Sequence, residues 1–336
     1  RRRGFAADLV ILNEESSSYE QPLKERLERH IEAHTLYAGA DQVGNVFLLS
    51  VDQLPEEDRT LLQAAARISL VAARGSLAQQ LVAPSQATDL PEALVVREIE
   101  EEPSAPLAHV ELQHFNGLGG FTPDGSEYVI QLGPEAQTPA PWVNVLANPT
   151  FGTMVSESGA GFTWSGNSQR NRLTEWSNDP VLDPPTEVLY IRDEETGALW
   201  SPTANPIREA EAYRARHGAG YSVFEHNSHA IEQELTLFVP VDDQGGEPIK
   251  LSKLKLRNDS GRPRVLSVTY YVEWTLGESR EDSQQDVLSQ WDEEAQALLA
   301  RNGYHPDYPD RVSFAALDPS PTSYSADRAD FLGRNG

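Results

Sequence analysis

The stretch "PRVLSVTYYVEWTL", residues 263–276, decides the fold class of most of this chain. Leu266, Val268, Tyr270, Val272 and Trp274 share one parity, while Ser267, Thr269 and Glu273 lie on the other. Alternation of that kind predicts a strand with one buried face, and a helical period does not produce it. The run "AIEQELTLFVP" (230–240) repeats the pattern with Ile231, Leu235, Leu237 and Val239, and Pro240 ends it. "PIKLSKLKLRN" (248–258) also alternates, but its parity slips between Leu251 and Leu254, which predicts a bulge. Turn signals separate the runs: "PDG" at 123–125, "DQGG" at 243–246 and "NDSG" at 258–261. The segment 279–302, "SREDSQQDVLSQWDEEAQALLARN", has helical propensity yet sits among strands. It is read as a hairpin turning near residues 292–295.

Residues 107–336 thus read as a large antiparallel β-sandwich. The first 83 residues differ and read as a smaller α/β segment. "ADLVILN" (7–13) and "GNVFLLSV" (44–51) are short apolar strands. Between them, Leu23, Leu27 and Ile31 recur four apart, as one helix face requires. A second helix is expected over 54–82, with Pro55 and acidic residues at its start and a break or kink at Gly75. Residues 84–106, rich in Pro, Ser and acids, are expected to be a linker, and the acidic run 98–104 within it to be solvated.

Composition narrows the partners. The formal net charge of −25 argues against nucleic acid or an anionic membrane surface, both of which rely on Lys and Arg. The absence of cysteine from the 336 residues excludes disulfides, thiolate metal sites and cysteine nucleophiles, and fits a reducing compartment. No apolar run approaches the roughly 18 residues of a membrane span, so no direct membrane insertion is expected. The chain opens on Arg1 rather than Met and reads as a piece of something longer.

Most candidate chemistry has a simpler explanation. "HFNGLGGF" (114–121) leads into a turn and a strand rather than a helix, so it reads as a tightly packed loop, not a phosphate cradle. His226 and His229 would face opposite sides of a strand, and a shared metal would require a turn between them. No metal site is expected. No GxSxG elbow is present, and no pair of carboxylates has a defensible catalytic spacing.

"GFTWSGNSQRNRLTEWSNDP" (161–180) is different, because it gathers two Trp, four amides and two Arg with hardly an aliphatic residue. Aromatic faces suit the C–H side of a pyranose, and amides and guanidinium groups suit its hydroxyls. Asn167, Gln169, Arg170 and Asn171 are the candidate hydroxyl partners. Trp164 and Trp176 are candidate stacking faces or loop anchors. Arg170 and Arg172 would share a side only if the loop is extended.

The blocks "NGLGGFTPDGSEYVI" and "PAPWVNVLANPTFGTMVSESGAGFTWSGNSQRNRLTEWSNDP", running on to residue 203, resemble the N-terminal sandwich of the cellobiose-phosphorylase family. This is glycoside hydrolase family 94, once classed with glycosyltransferase family 36. Within it, the upstream segments resemble what precedes the phosphorylase-like region of cyclic β-1,2-glucan synthases. The final "SADRADFLGRNG" also looks like a family stretch. The resemblance implies a supersandwich, incomplete at its C-terminus here, followed in the parent by an (α/α)6 barrel. It implies inverting phosphorolysis of β-glucosides, with inorganic phosphate as co-substrate and no cofactor. The acid of that reaction is an Asp on the barrel, so no residue here is expected to be catalytic. Implied partners are a β-glucan oligosaccharide, the barrel of the same parent chain and a second copy of the chain. The implied location is cytoplasmic, on the inner-membrane face for a synthase. The parent could equally be a free oligoglucan phosphorylase, or the sandwich a scaffold that touches no sugar.

Overall fold

The computed structural model describes residues 8–14, 21–35, 45–80 and 103–333. The chain divides into two compact units, residues 1–91 and 92–336.

In the first unit, β1 (Leu9–Asn13) is followed by α1 (Pro22–Thr35), β2 (Val46–Ser50), α2 (Glu56–Ala65) and α3 (Leu77–Gln80). β1 and β2 pair in parallel, Leu9 opposite Val46 through Asn13 opposite Ser50, and a crossover carrying α1 joins them. The helix expected over 54–82 is shorter than its propensity. α2 stops at Ala65, and Ala66 is already extended with its N–H on Leu62 O at 3.1 Å. Beyond it the Gln80 side chain bonds Val71 N, Val71 O and Gly75 O, each at 2.9 Å, so a side chain replaces the helical ladder there. The chain therefore leaves the helix well before Gly75.

Most of the expected linker, residues 84–102, lies outside the described residues, and so does most of the acidic run 98–104. Residues 103–106 are described, and the sandwich holds them. Ser104 Oγ accepts from Ala230 N at 2.9 Å, and Asn227 Nδ2 donates to Ala105 O at 3.0 Å.

The second unit is mainly β, with two short helices. Its strands begin with β3 (Gly119–Phe121), β4 (Glu127–Leu132), β5 (Val143–Ala147), β6 (Phe151–Ser156), β7 (Gly161–Ser165) and β8 (Arg172–Thr174). Next come β9 (Glu187–Asp193), β10 (Leu199–Trp200), β11 (Tyr213–Gly218), β12 (Tyr221–Ser228), β13 (Ile231–Phe238) and β14 (Leu251–Asn258). The last are β15 (Leu266–Val272), β16 (Trp274–Gly277), the short α4 (Arg280–Ser283), β17 (Val287–Asp292), β18 (Ala297–Asn302), β19 (Val312–Ala316) and α5 (Arg328–Leu332). A six-stranded sheet runs in the order β14-β13-β12-β11-β4-β3, and a five-stranded one in the order β16-β8-β7-β6-β5. Two three-stranded sheets, β10-β9-β15 and β17-β18-β19, complete it. All pairs in this unit are antiparallel.

The core lies between the two larger sheets. Ile130, Leu132, Ala215, Phe224, Leu235 and Leu237 from one meet Leu146, Phe151 and Val155 from the other. Each such large side chain taken out of water contributes about 1.5–3 kcal/mol. β13 shows why: Ile231, Gln233, Leu235 and Leu237 are buried and the residues between them are not. The segment 279–302 forms the single turn of α4 and then a hairpin over 287–302, with Asp292 opposite Ala297. Its helical propensity yields to strand pairing on both sides of β18.

Two expectations from the alternating runs need correction. β14 carries no bulge: its register on β13 is continuous from Phe238 opposite Leu251 to Ile231 opposite Asn258. Leu251 simply lies on the outer face, 39% exposed, while Leu254 and Leu256 point inward. The run 263–276 is not one strand either. β15 ends at Val272 and Trp274 opens β16, so the chain passes from β9 to β8 at Glu273.

Candidate functional site: the β7–β8 loop and its flanks

The register places β7 with its aromatic residues outward. Gly152 stands opposite Trp164 and Met154 opposite Phe162, on the face away from Phe151, Thr153 and Val155. Trp164 lies flat over Gly152, where an added Cβ would come within 2.4 Å of the indole. Phe162 packs against Trp164 (centroids 5.2 Å apart) and stacks on Trp176 at 5.3 Å. The Arg172 guanidinium covers this row, 5.8 Å from the Phe162 ring and 5.7 Å from the Trp176 ring. Arg172 Nη1 donates to Glu278 O at 2.9 Å, which fixes the guanidinium in place. Phe162 is buried beneath these neighbours, and both Trp are half-buried.

The loop between β7 and β8 is exposed from Gly166 to Arg170. Asn167 Oδ1 accepts from the N–H of Gln169 and of Arg170, both at 2.9 Å, which closes an Asx turn. Asn171 is 4% exposed, and its Nδ2 donates to Ser165 O at 2.8 Å. Its side chain is thus committed to closing the loop, whereas Gln169 and Arg170 face solvent. Arg170 Nη1 pairs with Asp307 Oδ2 at 3.1 Å. The two arginines therefore do different work, because the loop turns between them. Arg170 reaches the loop after β18, and Arg172 lies on the aromatic row. Sequence reasoning missed Phe162, His305, Asp307 and Tyr308. No local pattern signals a partner more than a hundred positions away.

The inner face of β7 is polar. Thr163 and Thr174 bond Glu187 Oε1, Tyr270 OH bonds Glu187 Oε2 at 3.1 Å, and Lys250 pairs with the same carboxylate. Burial pushes the Glu187 carboxyl up, but Lys250 together with the Thr163 and Thr174 hydroxyls brings the net direction down. A small cavity lined by Thr153, Thr203, Lys250, Ser252 and Tyr270 adjoins the pair. The Glu187 carboxylate is committed to Lys250 and to the three hydroxyls, so the arrangement reads as core polarity rather than an active site.

His226 and His229 do meet, on the carboxylate of Glu209. His229 and Ala230 both have positive φ (52° and 55°), the type I′ geometry of a two-residue hairpin turn between β12 and β13. That turn puts His226 Nε2 at 3.0 Å and His229 Nε2 at 2.5 Å from the two oxygens of Glu209. Burial pushes the Glu209 carboxyl up, but the two histidines hold it at about 2. Among the described residues no group of three or more His, Asp or Glu side chains is placed to hold a metal ion. Gly119 and Gly120 of the glycine-rich loop are packing residues, since an added Cβ would stand 2.7 Å from Val129 O or Gln113 O. Among the described residues no helix is long and apolar enough to cross a membrane.

Comparison with known proteins matches this architecture. The family model described as glycosyl hydrolase 94, supersandwich domain, covers residues 126–336. Over its whole length the chain is 38% identical to the cyclic beta-(1,2)-glucan synthase NdvB of Rhizobium meliloti (strain 1021), spanning 12% of that protein. It is 30% identical to the N,N'-diacetylchitobiose phosphorylase of Vibrio proteolyticus, over 64% of this chain and 27% of the relative. It is also 30% identical to the solabiose phosphorylase of Paenibacillus borealis, over 66% of this chain and 28% of the relative. The chain thus spans between 12% and 28% of the lengths of these curated relatives. With the family's supersandwich domain occupying residues 126–336, the chain belongs to the glycosyl hydrolase 94 family.

Proposed function

We propose that this chain is the supersandwich portion of a β-glucan-processing enzyme and that residues 164–176 form a carbohydrate-contacting rim. One observation carries the reading. Arg172 is laid over Phe162 and Trp176 on the outer face of the sheet, beside an exposed loop that presents Gln169 and Arg170. An aromatic row beside exposed donors suits a glucan, with the uncovered parts of Trp164 and Trp176 against pyranose C–H groups and Gln169 and Arg170 on hydroxyls. Asn167 and Asn171 serve this rim by shaping its loop. Trp164 and Trp176 offer their exposed edges.

The reaction belongs to the parent. It is phosphorolysis of a β-glucan, the whole-chain relative pointing to a β-1,2-linked one, with an acid on the helical barrel and inorganic phosphate as attacking group. This chain supplies walls, not the acid. The test is Arg170→Ala in the complete enzyme. KM for linear β-1,2-glucan rises several-fold, while thermal stability moves by under about 0.5 kcal/mol, because the pair with Asp307 is exposed. Unaltered KM and product length in that variant overturn the reading.

The scaffold reading draws on the half-burial of both Trp and the loop-closing role of Asn171. A structure of the parent separates the two by the distance from residues 164–176 to the catalytic pocket.

A further inference from the structure

Tyr304 is the most exposed aromatic side chain among the described residues, at 81%. Its backbone, by contrast, is pinned on both sides. Asn302 is buried, its Nδ2 donating to Leu276 O at 3.1 Å and its Oδ1 accepting from Tyr304 N at 3.0 Å. The next residue, His305, is 5% exposed. Its Nε2 lies 2.8 Å from Arg170 O, and its Nδ1 lies 3.1 Å from both Asp307 N and Tyr308 N. A carbonyl only accepts and an amide N–H only donates, so Nε2 carries the proton and Nδ1 the lone pair. One buried ring thereby fastens the loop 303–311 to the backbone of the loop 166–171.

Two further contacts follow the same line. Arg170 pairs with Asp307 at 3.1 Å. The Tyr308 hydroxyl stands 3.6 Å from where a Cβ would sit on Gly166, whose φ of +73° favours glycine. Tyr308 also meets His305 edge-on at 5.0 Å and carries Arg311 over its ring at 5.9 Å.

A ring left 81% exposed on a hydrogen-bonded loop adds little burial to its own fold. Tyrosine in that setting is a contact residue, with a flat apolar face, a hydroxyl, and little rotamer freedom to lose on binding. We propose that residues 303–311 are the second wall of the glucan-contacting rim, with Tyr304 as a contact residue and His305 as the positioning residue that joins the two walls. This rests on the reading of residues 164–176 as the first wall.

The experiment is calorimetric titration of the complete enzyme with a linear β-1,2-gluco-oligosaccharide, alongside thermal unfolding. Tyr304→Ala weakens binding about five-fold with unfolding unchanged, and Tyr304→Phe, which keeps the ring, stays within about two-fold of the native enzyme. His305→Ala weakens binding and lowers the unfolding temperature. His305→Gln, which can still donate to Arg170 O, regains binding. If Arg170→Ala weakens binding and Tyr304→Ala does not, the second wall is overturned and the first stands. If neither variant changes binding, glucan contact itself fails. If Tyr304→Ala spares binding but disrupts association of enzyme copies, Tyr304 is a protein contact and the proposal is overturned.

Discussion

The two faces of β7 hold opposite kinds of side chain from those its position predicts. Inward, Thr163 serves the Glu187–Lys250 pair, together with Thr174 and Tyr270. Outward, Phe162 and Trp164 lie with Trp176 beneath Arg172. On an ordinary sandwich strand the aromatics fill the core and the threonine meets water. The inversion shows that the inner face was given to satisfying a buried charge pair, which requires hydroxyl partners. The outer face carries an aromatic row, Phe162 with Trp164 and Trp176, packed beneath Arg172.

The inner face yields the largest predicted effect. Lys250→Met leaves the Glu187 carboxylate buried without its cation and costs about 3–5 kcal/mol in chemical denaturation. Adding Glu187→Leu to that variant restores most of the loss. If the double variant is no better than the single, the pair is not the reason for the inversion.

Acid probes the polar interior further. Burial pushes the His217 imidazole down to about 4 from its ordinary 6.5. The unfolded chain therefore takes up a proton first, and stability falls as pH drops from 6.5 towards 4. The Glu209 carboxyl, at about 2 against an ordinary 4.5, adds a second loss between pH 4.5 and 2. At about 1.4 kcal/mol per unit, each stage removes up to ~3 kcal/mol, read from denaturation midpoints against pH. His217→Phe removes the upper stage only.

The outer face yields smaller effects. Gly152→Ala forces Trp164 off the sheet and costs about 1–3 kcal/mol, with a red shift in tryptophan fluorescence. Arg172→Ala loses the cover over Phe162 and Trp176 and costs about 1 kcal/mol, measured by thermal unfolding. An Arg172 effect rivalling that of Lys250 would erase the distinction between the faces.

Much of the fold was legible locally. The alternation in β13, the turn residues at 123–125 and 243–246, and the presence of α1 all report a residue's neighbours along the chain, which is where strand and helix periods are written. Sheet changes were not legible. Nothing between Val272 and Trp274 announces that one apolar run serves two sheets, because the partners, Glu187 and Thr174, are remote. The turn at His229–Ala230 escaped for a different reason: neither residue is Gly, Asn or Asp, and the positive φ values are imposed by pairing on both sides. The geometry of the stretch 161–180 was half legible. Its residue types stood out, but Asn171 turned inward and Arg170 found Asp307.

The sequence by itself pointed to a mainly β region over residues 107–336, to an α/β segment before it, and to an unusual stretch at 161–180, since composition and period are properties of adjacent residues. Only the tertiary structure decided which face of β7 meets the core, which histidines share Glu209, and which loop His305 fastens. Those depend on register and on contacts across more than a hundred positions, where a shift of one residue turns every side chain to the other face.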